Sequence, residues 1–497
     1  MPQDSLQHFP LGQRFPDSPH AVCVSLPTMA DVIGYEEKDP ATVAAMKSGY
    51  PRFKLPGYVE QLANRTGNPE DDKILVASDK AAEALLAFLG HPGAKAGKLN
   101  GIAYVHFPAD PDTKAKALKF LQHTGSGLPS RWAEEELKED GHIGKLHPEE
   151  TIADDPFGVV TDTLSGLAGV PREDILLCNS GMNAFYAAFL ATAGIQRENG
   201  RGIWIQLGWL YLDTSEILKK FLRPDERVET FLDVFDIVAL EAFLDAHKGQ
   251  VAGIVTEAPT NPMIQTPDME RIYTLAQKHG VILIADPTSA TPANVDLLPY
   301  ADVLANSLTK YAGNQGDILA GAVFVNPSSP YCGELQDTIP EHLEAPYPRD
   351  LQRLAHEIGR YQEILDQTNA NTLALAEFFQ GHPGVAEVHW AYSPDSIANY
   401  EKISRRKDAP GGLITIEPTG PLQPFYDRLR MLKSPSFGTE WSMACPFLYL
   451  AHYDLVSSQE GRAFLLGHRI NPDLVRVSVG TEPAERLIAV FREALEG

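Results

Sequence analysis

VILIADPTSATPANVDLLPYADVLANSLTKYAGNQGDILAGAVFVN, residues 281–326, contains three short apolar runs: Val281 to Ala285, Val303 to Asn306 and Gly321 to Val325. Runs that are apolar at every position, as VILIA is, describe strands buried on both faces. The same rhythm extends outward, with strands expected at Ile175 to Cys178, Gly202 to Gln206 and Val251 to Glu257. Helical patterns separate them, Ala184 to Ala193 and Met269 to His279 among them. Strands alternating with helices imply an α/β class in which helices cover both faces of a mainly parallel sheet.

The Pro-rich stretch IPEHLEAPYPRD at 339–350 ends this rhythm, and one long helical pattern follows from Leu351 to Phe379. Beyond it, strands expected at Gly412 to Ile416 and Leu474 to Val479 mix with helices, as in a smaller α+β domain. Residues 1–158 carry helical patterns at 79–90 and 113–121 among many turns. The organisation expected is therefore an N-terminal region (1–158), a large domain (159–345) and a C-terminal small domain (346–497). A chain of 497 residues exceeds what one core normally organises.

Composition narrows the partners. With 66 acidic against 42 basic side chains and a net charge of -24, the average surface repels nucleic-acid backbones and anionic lipid. The N-terminus lacks the pattern of a signal peptide, and no apolar stretch approaches the roughly 20 residues that span a bilayer, so a cytoplasmic location is expected. Cys23, Cys178, Cys332 and Cys445 stand far apart, without a CxxC pair, which suits reduced thiols rather than a disulfide framework or a metal site.

Several residues stand where chemistry is expected. Lys310 lies just past a strand, at the edge where open α/β sheets bind ligands and where its amine could form a Schiff base; a solvated surface lysine is the plainer reading. Asp286 ends another strand, as a partly buried carboxylate suited to a protonated pyridine nitrogen, or as the cap of the TSATP turn. Ser180, Gly181 and Met182 occupy a strand-to-helix turn, where free N–H groups and the helix dipole attract an anion, and the hydroxyls of Ser307 and Thr309 could join them. Trp209 or Tyr211 could stack on a flat ring or fill the core. Arg476, in an otherwise apolar strand, needs a carboxylate, either a substrate's or a structural partner's.

In this order the residues resemble the Cys/Met-metabolism pyridoxal-phosphate enzymes, the cystathionine gamma-synthase and gamma-lyase family. SGM (180–182), YLDT (211–214), EAPTNP (257–262), DPTSATP (286–292), SLTKY (307–311), SFGTEWS (436–442) and RVSVGTE (476–482) are similar to seven of its motifs, spread over about 300 residues. SLPTMADVIGYEE with GYPRF (25–53) and QHTGSGLPSR (122–131) look like the fungal-type cystathionine gamma-synthases, which carry a longer N-terminal region.

The resemblance implies a fold-type I architecture with a seven-stranded large domain, and pyridoxal 5'-phosphate held by Lys310. It implies Asp286 on the ring nitrogen, Tyr211 stacked on the ring and active in proton removal, and Ser180, Gly181, Met182, Ser307 and Thr309 around the phosphate. Asn261 and Thr288 are implied as further cofactor contacts, and Arg476 and Ser436 as substrate-binding. Tyr50 and Arg52 would reach the phosphate of a neighbouring subunit, so a homodimer or homotetramer with shared sites is implied, acting on small amino-acid substrates.

The reaction implied is γ-replacement on an O-activated homoserine by cysteine. A γ- or β-lyase, or an O-acylhomoserine sulfhydrylase, shares the early steps. A non-catalytic α/β binding protein would be expected to lose Lys310 or Asp286 first, and both are present. Three departures bear on the substrate rather than the cofactor: Pro287 after the aspartate, Leu212–Asp213 in place of Gly-Gly, and Thr439 with Trp441 in the late loop. QHTGSG, with His123, reads as a polar loop, or as a segment that brings His123 to the substrate.

Overall fold

The computed structural model describes residues 4–48, 54–65 and 71–497. Near the N-terminus, β1 (Arg14–Phe15) pairs with β2 (Cys23–Val24), and β3 (Asp71–Val76), β4 (Lys95–Leu99) and β5 (Ile102–Pro108) form an antiparallel sheet in the order β3-β5-β4. Two helices cover that sheet. Asp79–Leu89 is started by Ser78, whose hydroxyl accepts from the Ala81 N–H; Pro111–Thr124 is started by Asp110 and stopped by Gly125 in the left-handed region (φ 64°).

The central sheet contains β6 (Ile175–Cys178), β7 (Ile203–Leu207), β8 (Arg227–Phe231), β9 (Val251–Glu257), β10 (Ile282–Asp286), β11 (Val303–Ser307) and β12 (Gly321–Val325). Its order is β6-β12-β11-β10-β9-β7-β8, and only β12 runs against the others. This is the seven-stranded, mainly parallel sheet expected. Alternate side chains feed two cores. Ile205, Ile254, Leu283 and Leu304 point to one face, and Trp204, Val255, Ile284 and Ala305 to the other, against Phe185 and Phe189. Gly253 belongs inside β9 because a Cβ there would stand 2.6 Å from the Trp204 ring.

A second sheet, β13 (Val385–His389), β14 (Leu413–Pro418), β15 (Leu432–Lys433), β16 (Met443–Cys445) and β17 (Val475–Ser478), has the order β13-β14-β17-β16-β15. Helices Tyr361–Gly381 and Ala484–Glu496 share its core through Leu375, Phe379, Leu487 and Phe491. Among the described residues no helix is long and apolar enough to cross a membrane.

Four details differ from the sequence reading. β8 went unnamed because it is the edge strand, and RVETF is largely half-buried or exposed, with no apolar run to announce it. The single helix expected from Leu351 to Phe379 is two, Pro348–Ile358 and Tyr361–Gly381, broken at Gly359–Arg360. QHTGSG is not a loop throughout: Gln122, His123 and Thr124 complete a buried helical turn. The division expected at 158/159 falls inside the helix Pro156–Ala168, and that at 345/346 lies just before Pro348.

Candidate active site

Because β12 alone is reversed, the C-terminal ends of β6, β7, β9, β10 and β11 open on one side of the sheet. A single pocket there is lined by Ser180, Gly181, Met182, Tyr211, Asn261, Asp286, Thr288, Ser307, Thr309, Lys310, Ser436 and Arg476. Tyr50 and Arg52 lie outside the described residues.

At the β6 end, Ser180 caps the helix Gly181–Glu198, its hydroxyl accepting from the Asn183 N–H at 3.2 Å. Gly181 cannot be replaced without movement, since a Cβ would lie 2.5 Å from that of Ser307. The result is a recess where the first N–H groups of an 18-residue helix meet the Ser307 side chain, suited to a phosphate. The Thr288 hydroxyl braces it, accepting from the Ser307 N–H at 3.0 Å and donating to Asn306 at 3.2 Å. Thr309 is differently engaged: its hydroxyl accepts from the Ala320 N–H at 3.1 Å and donates to the Ala320 carbonyl at 3.3 Å.

Lys310 follows β11 and is 8% exposed. Its Nζ donates to Ser436 Oγ at 2.8 Å and lies 5.1 Å from the Phe437 ring centre. Arg476, 2% exposed, donates from Nη1 to Asn261 Oδ1 at 3.1 Å and from Nη2 to the carbonyls of Ser436, at 3.0 Å, and Pro435. Its buried Nε has no partner among the described residues. An orphaned guanidinium N–H in an active-site pocket is costly until an acceptor arrives, and a substrate carboxylate is such an acceptor.

Asp286 ends β10 directly beside Glu257 of β9, in register. Burial lifts the Asp286 carboxyl to about 6, against the pull of the Thr288 N–H, which donates to it at 2.7 Å. Burial, and then the Asp286 charge, raise Glu257 well above the usual carboxylate range, although the Tyr211 N–H donates to it. No Lys, Arg or His forms an ion pair with either carboxyl among the described residues. The turn contact of Asp286 is thus made, and its carboxyl stands without an ion-pair partner among the described residues.

This arrangement fits pyridoxal phosphate: an anion recess, a buried lysine and a carboxylate lacking a cation share one pocket. It also makes a stability prediction. Asp286 holds its proton to higher pH when folded than when unfolded, so its own contribution to the stability of the cofactor-free protein falls as pH rises from about 4 to about 6. The loss is about 3 kcal/mol at roughly 1.4 per pKa unit. Denaturation midpoints measured across that range should fall, relative to those of Asp286→Asn, as the pH rises; equal slopes for the two proteins would refute the assignment.

Sequence reasoning overlooked three contributors. Glu257 was quoted within its motif, yet only strand register shows that it abuts Asp286. Val22, Leu55, Val59 and Leu128 of the N-terminal region line the pocket opposite the sheet, without any local signature. Asp213, singled out in the sequence as a departure that bears on the substrate, was not expected to face the pocket, and it does.

Comparisons with known proteins agree with this geometry. Residues 158–496 match the sequence model of the Cys/Met metabolism PLP-dependent enzymes. The chain is 41% identical over 488 residues, 97% of each protein, to the L-2-amino-4-chloropent-4-enoate dechlorinase/desaturase of Streptantibioticus cattleyicolor. It is 27% identical to the cystathionine gamma-synthase of Neurospora crassa, over 98% of both chains. Among solved structures, cystathionine gamma-synthase from Xanthomonas oryzae pv. oryzae shares the fold, with a TM-score of 0.57, 21% identity and coverage of 72% of this chain and 89% of that one. The family's cofactor is pyridoxal phosphate, and with a recess, lysine and carboxylate that fit it, this chain belongs to the Cys/Met-metabolism pyridoxal-phosphate-dependent enzymes.

Proposed function

We propose that the protein removes a leaving group from Cγ of an L-α-amino acid with a small, neutral side chain, by elimination rather than by replacement with cysteine. One observation carries this reading: among the arginines of the described pocket wall, one guanidinium N–H stands uncommitted for a carboxylate. That group is Arg476 Nε. Arg131 also lines the pocket, but it is paired with Glu149 at 2.7 Å, Asp350 at 2.8 Å and Asp317 at 3.6 Å. His20 also lines it, but its ring is taken up within the wall, with Nδ1 2.9 Å from Ser130 Oγ and Nε2 3.3 Å from the buried Glu134 carboxylate. A cysteine co-substrate would bring a second carboxylate with no counterpart among the described lining residues. The apolar wall of Val22, Leu55, Val59, Leu128 and Phe437 suits a hydrocarbon chain instead. The relative 41% identical to this chain acts on an amino acid with chlorine on C4, which is Cγ.

When bound, pyridoxal phosphate supplies an electron sink next to Cα. Ser180, Gly181 and Ser307 would hold its phosphate, Asp286 would keep positive charge on its ring nitrogen, and Tyr211 would lie against the ring. Arg476 binds the substrate α-carboxylate. Lys310, which carries the cofactor, takes the Cα proton through Nζ, and Ser436 keeps that amine in place. The apolar wall limits water around Cγ. Nζ serves again at Cβ, the C–X bond breaks with its electron pair, and Cα regains its proton, so the net change is loss of one side-chain proton and X⁻ and gain of one side-chain π bond.

A second reading, γ-replacement on an O-acylhomoserine, is supported by the 27% likeness along the whole length of the Neurospora crassa cystathionine gamma-synthase. The test is incubation of the holoenzyme with L-2-amino-4-chloropent-4-enoate, and separately with O-acetyl-L-homoserine, each with and without cysteine. Halide or acetate released without thiol, and not by Lys310→Ala, supports elimination. Cystathionine formed only with cysteine selects replacement.

A further inference from the structure

Two stretches that this mechanism does not use meet at the wall of the site. Asp213 lies in the first turn of the helix Leu212–Lys220, where the resembled pattern has glycine, and it lines the same pocket as Tyr211 and Lys310. Gln122 and His123 come from the end of the helix Pro111–Thr124, in the N-terminal region. The Asp213 side chain is 1% exposed. Its Oδ1 accepts from Gln122 Nε2 at 2.7 Å and lies 3.0 Å from His123 Nδ1.

The proton positions on His123 follow from its other neighbour. Lys220 Nζ, which only donates, lies 3.1 Å from Nε2, so Nε2 accepts and Nδ1 carries the hydrogen given to Asp213. Asp213 is therefore held by the Gln122 amide and by His123 Nδ1–H, and by no Lys or Arg among the described residues. Neither bond serves the start of its own helix, which has no side-chain cap. Strand order adds direction: β9 and β10 separate β7, which leads to Asp213, from β11, which leads to Lys310, so the two residues reach the pocket from opposite flanks.

We propose that Asp213 is a specificity-determining residue that admits amino acids with neutral side chains and turns away those with anionic ones. In a largely apolar pocket a fixed carboxylate acts on another charge much more strongly than it would in water. The selection deepens the elimination reading and rests on it for the identity of the substrate. The γ-substituent is then a halide or another uncharged leaving group, not a succinyl ester or a thiol carrying its own carboxylate.

The test compares two unreactive amino acids of equal backbone length, L-norvaline and L-glutamate, binding to the holoenzyme as followed by cofactor absorbance. Asp213→Asn keeps the shape and the acceptor oxygen but removes the charge. It should narrow the glutamate-to-norvaline ratio of Kd at least ~10-fold, about 1.4 kcal/mol, while the Kd for norvaline changes less than ~3-fold. Asp213→Gly should shift the ratio in the same direction. A ratio unchanged in both variants overturns the proposal, and so does loss of cofactor from both, which would make Asp213 part of the cofactor's support. Neither ligand carries a γ-leaving group, so failure of the elimination reaction would leave this ratio to be judged separately.

Discussion

Lys310→Ala is expected to abolish turnover, with a loss of at least ~10³-fold, because one substitution removes both the covalent attachment of the cofactor and the base that reaches Cα. Borohydride treatment of the wild-type holoenzyme should fix the cofactor to the peptide containing residue 310, and the variant should take up no label there. A second buried lysine makes this discriminating. Burial depresses Lys433 to about 8, a perturbation that by itself would nominate it. Yet Lys433 Nζ donates to the carbonyls of Pro27 at 2.6 Å and Asp427 at 3.3 Å and sits 4.7 Å from the Tyr426 ring centre. It is absent from the pocket lining, whereas Lys310 stands in it beside Ser436. Label on Lys433 in place of Lys310 would sink the assignment.

Arg131→Met is expected to produce the largest loss of stability, about 3–5 kcal/mol, the usual cost of stranding a buried carboxylate by removing its partner. Arg131 is 1% exposed and joins the N-terminal region to the segments on either side of the site, donating to the Asp317 carbonyl at 3.0 Å as well as to Glu149 and Asp350. Glu149 and Asp317 would keep Arg349 and Arg353, but Asp350 would lose the one guanidinium it pairs with among the described residues. Burial already raises the Asp350 carboxyl against the pull of Arg131, so the variant's deficit should shrink as the pH is lowered and Asp350 takes up a proton. Unfolding midpoints at pH 8 and pH 5 check this. A loss under about 1 kcal/mol at pH 8 would show that the network contributes little to holding the N-terminal region in place.

The two lysines illustrate how much of the site was legible. Lys310, Asp286, Ser180 and Gly181 could be named from the chain because each sits at or just past the end of an apolar run, and strand ends in a parallel sheet face one opening, whereas Arg476 stood out as a charge inside an apolar strand. Thr309 was named in the same way, but its hydroxyl is occupied by Ala320, which no offset reveals. Edge strand β8 stayed hidden because half its surface faces solvent and its residues need not be apolar.

What the sequence determined by itself was the layered α/β class, most strands of the central sheet and the family, since these follow from local periodicity and short motifs. Tertiary structure alone decided which distant groups touch. It set Glu257 against Asp286 through strand register, closed the pocket with Val22 and Leu128, committed Arg131 to three carboxylates, and brought Gln122 and His123 onto Asp213 across about 90 residues of chain. Those contacts depend on how separate elements pack, which no single stretch of chain encodes.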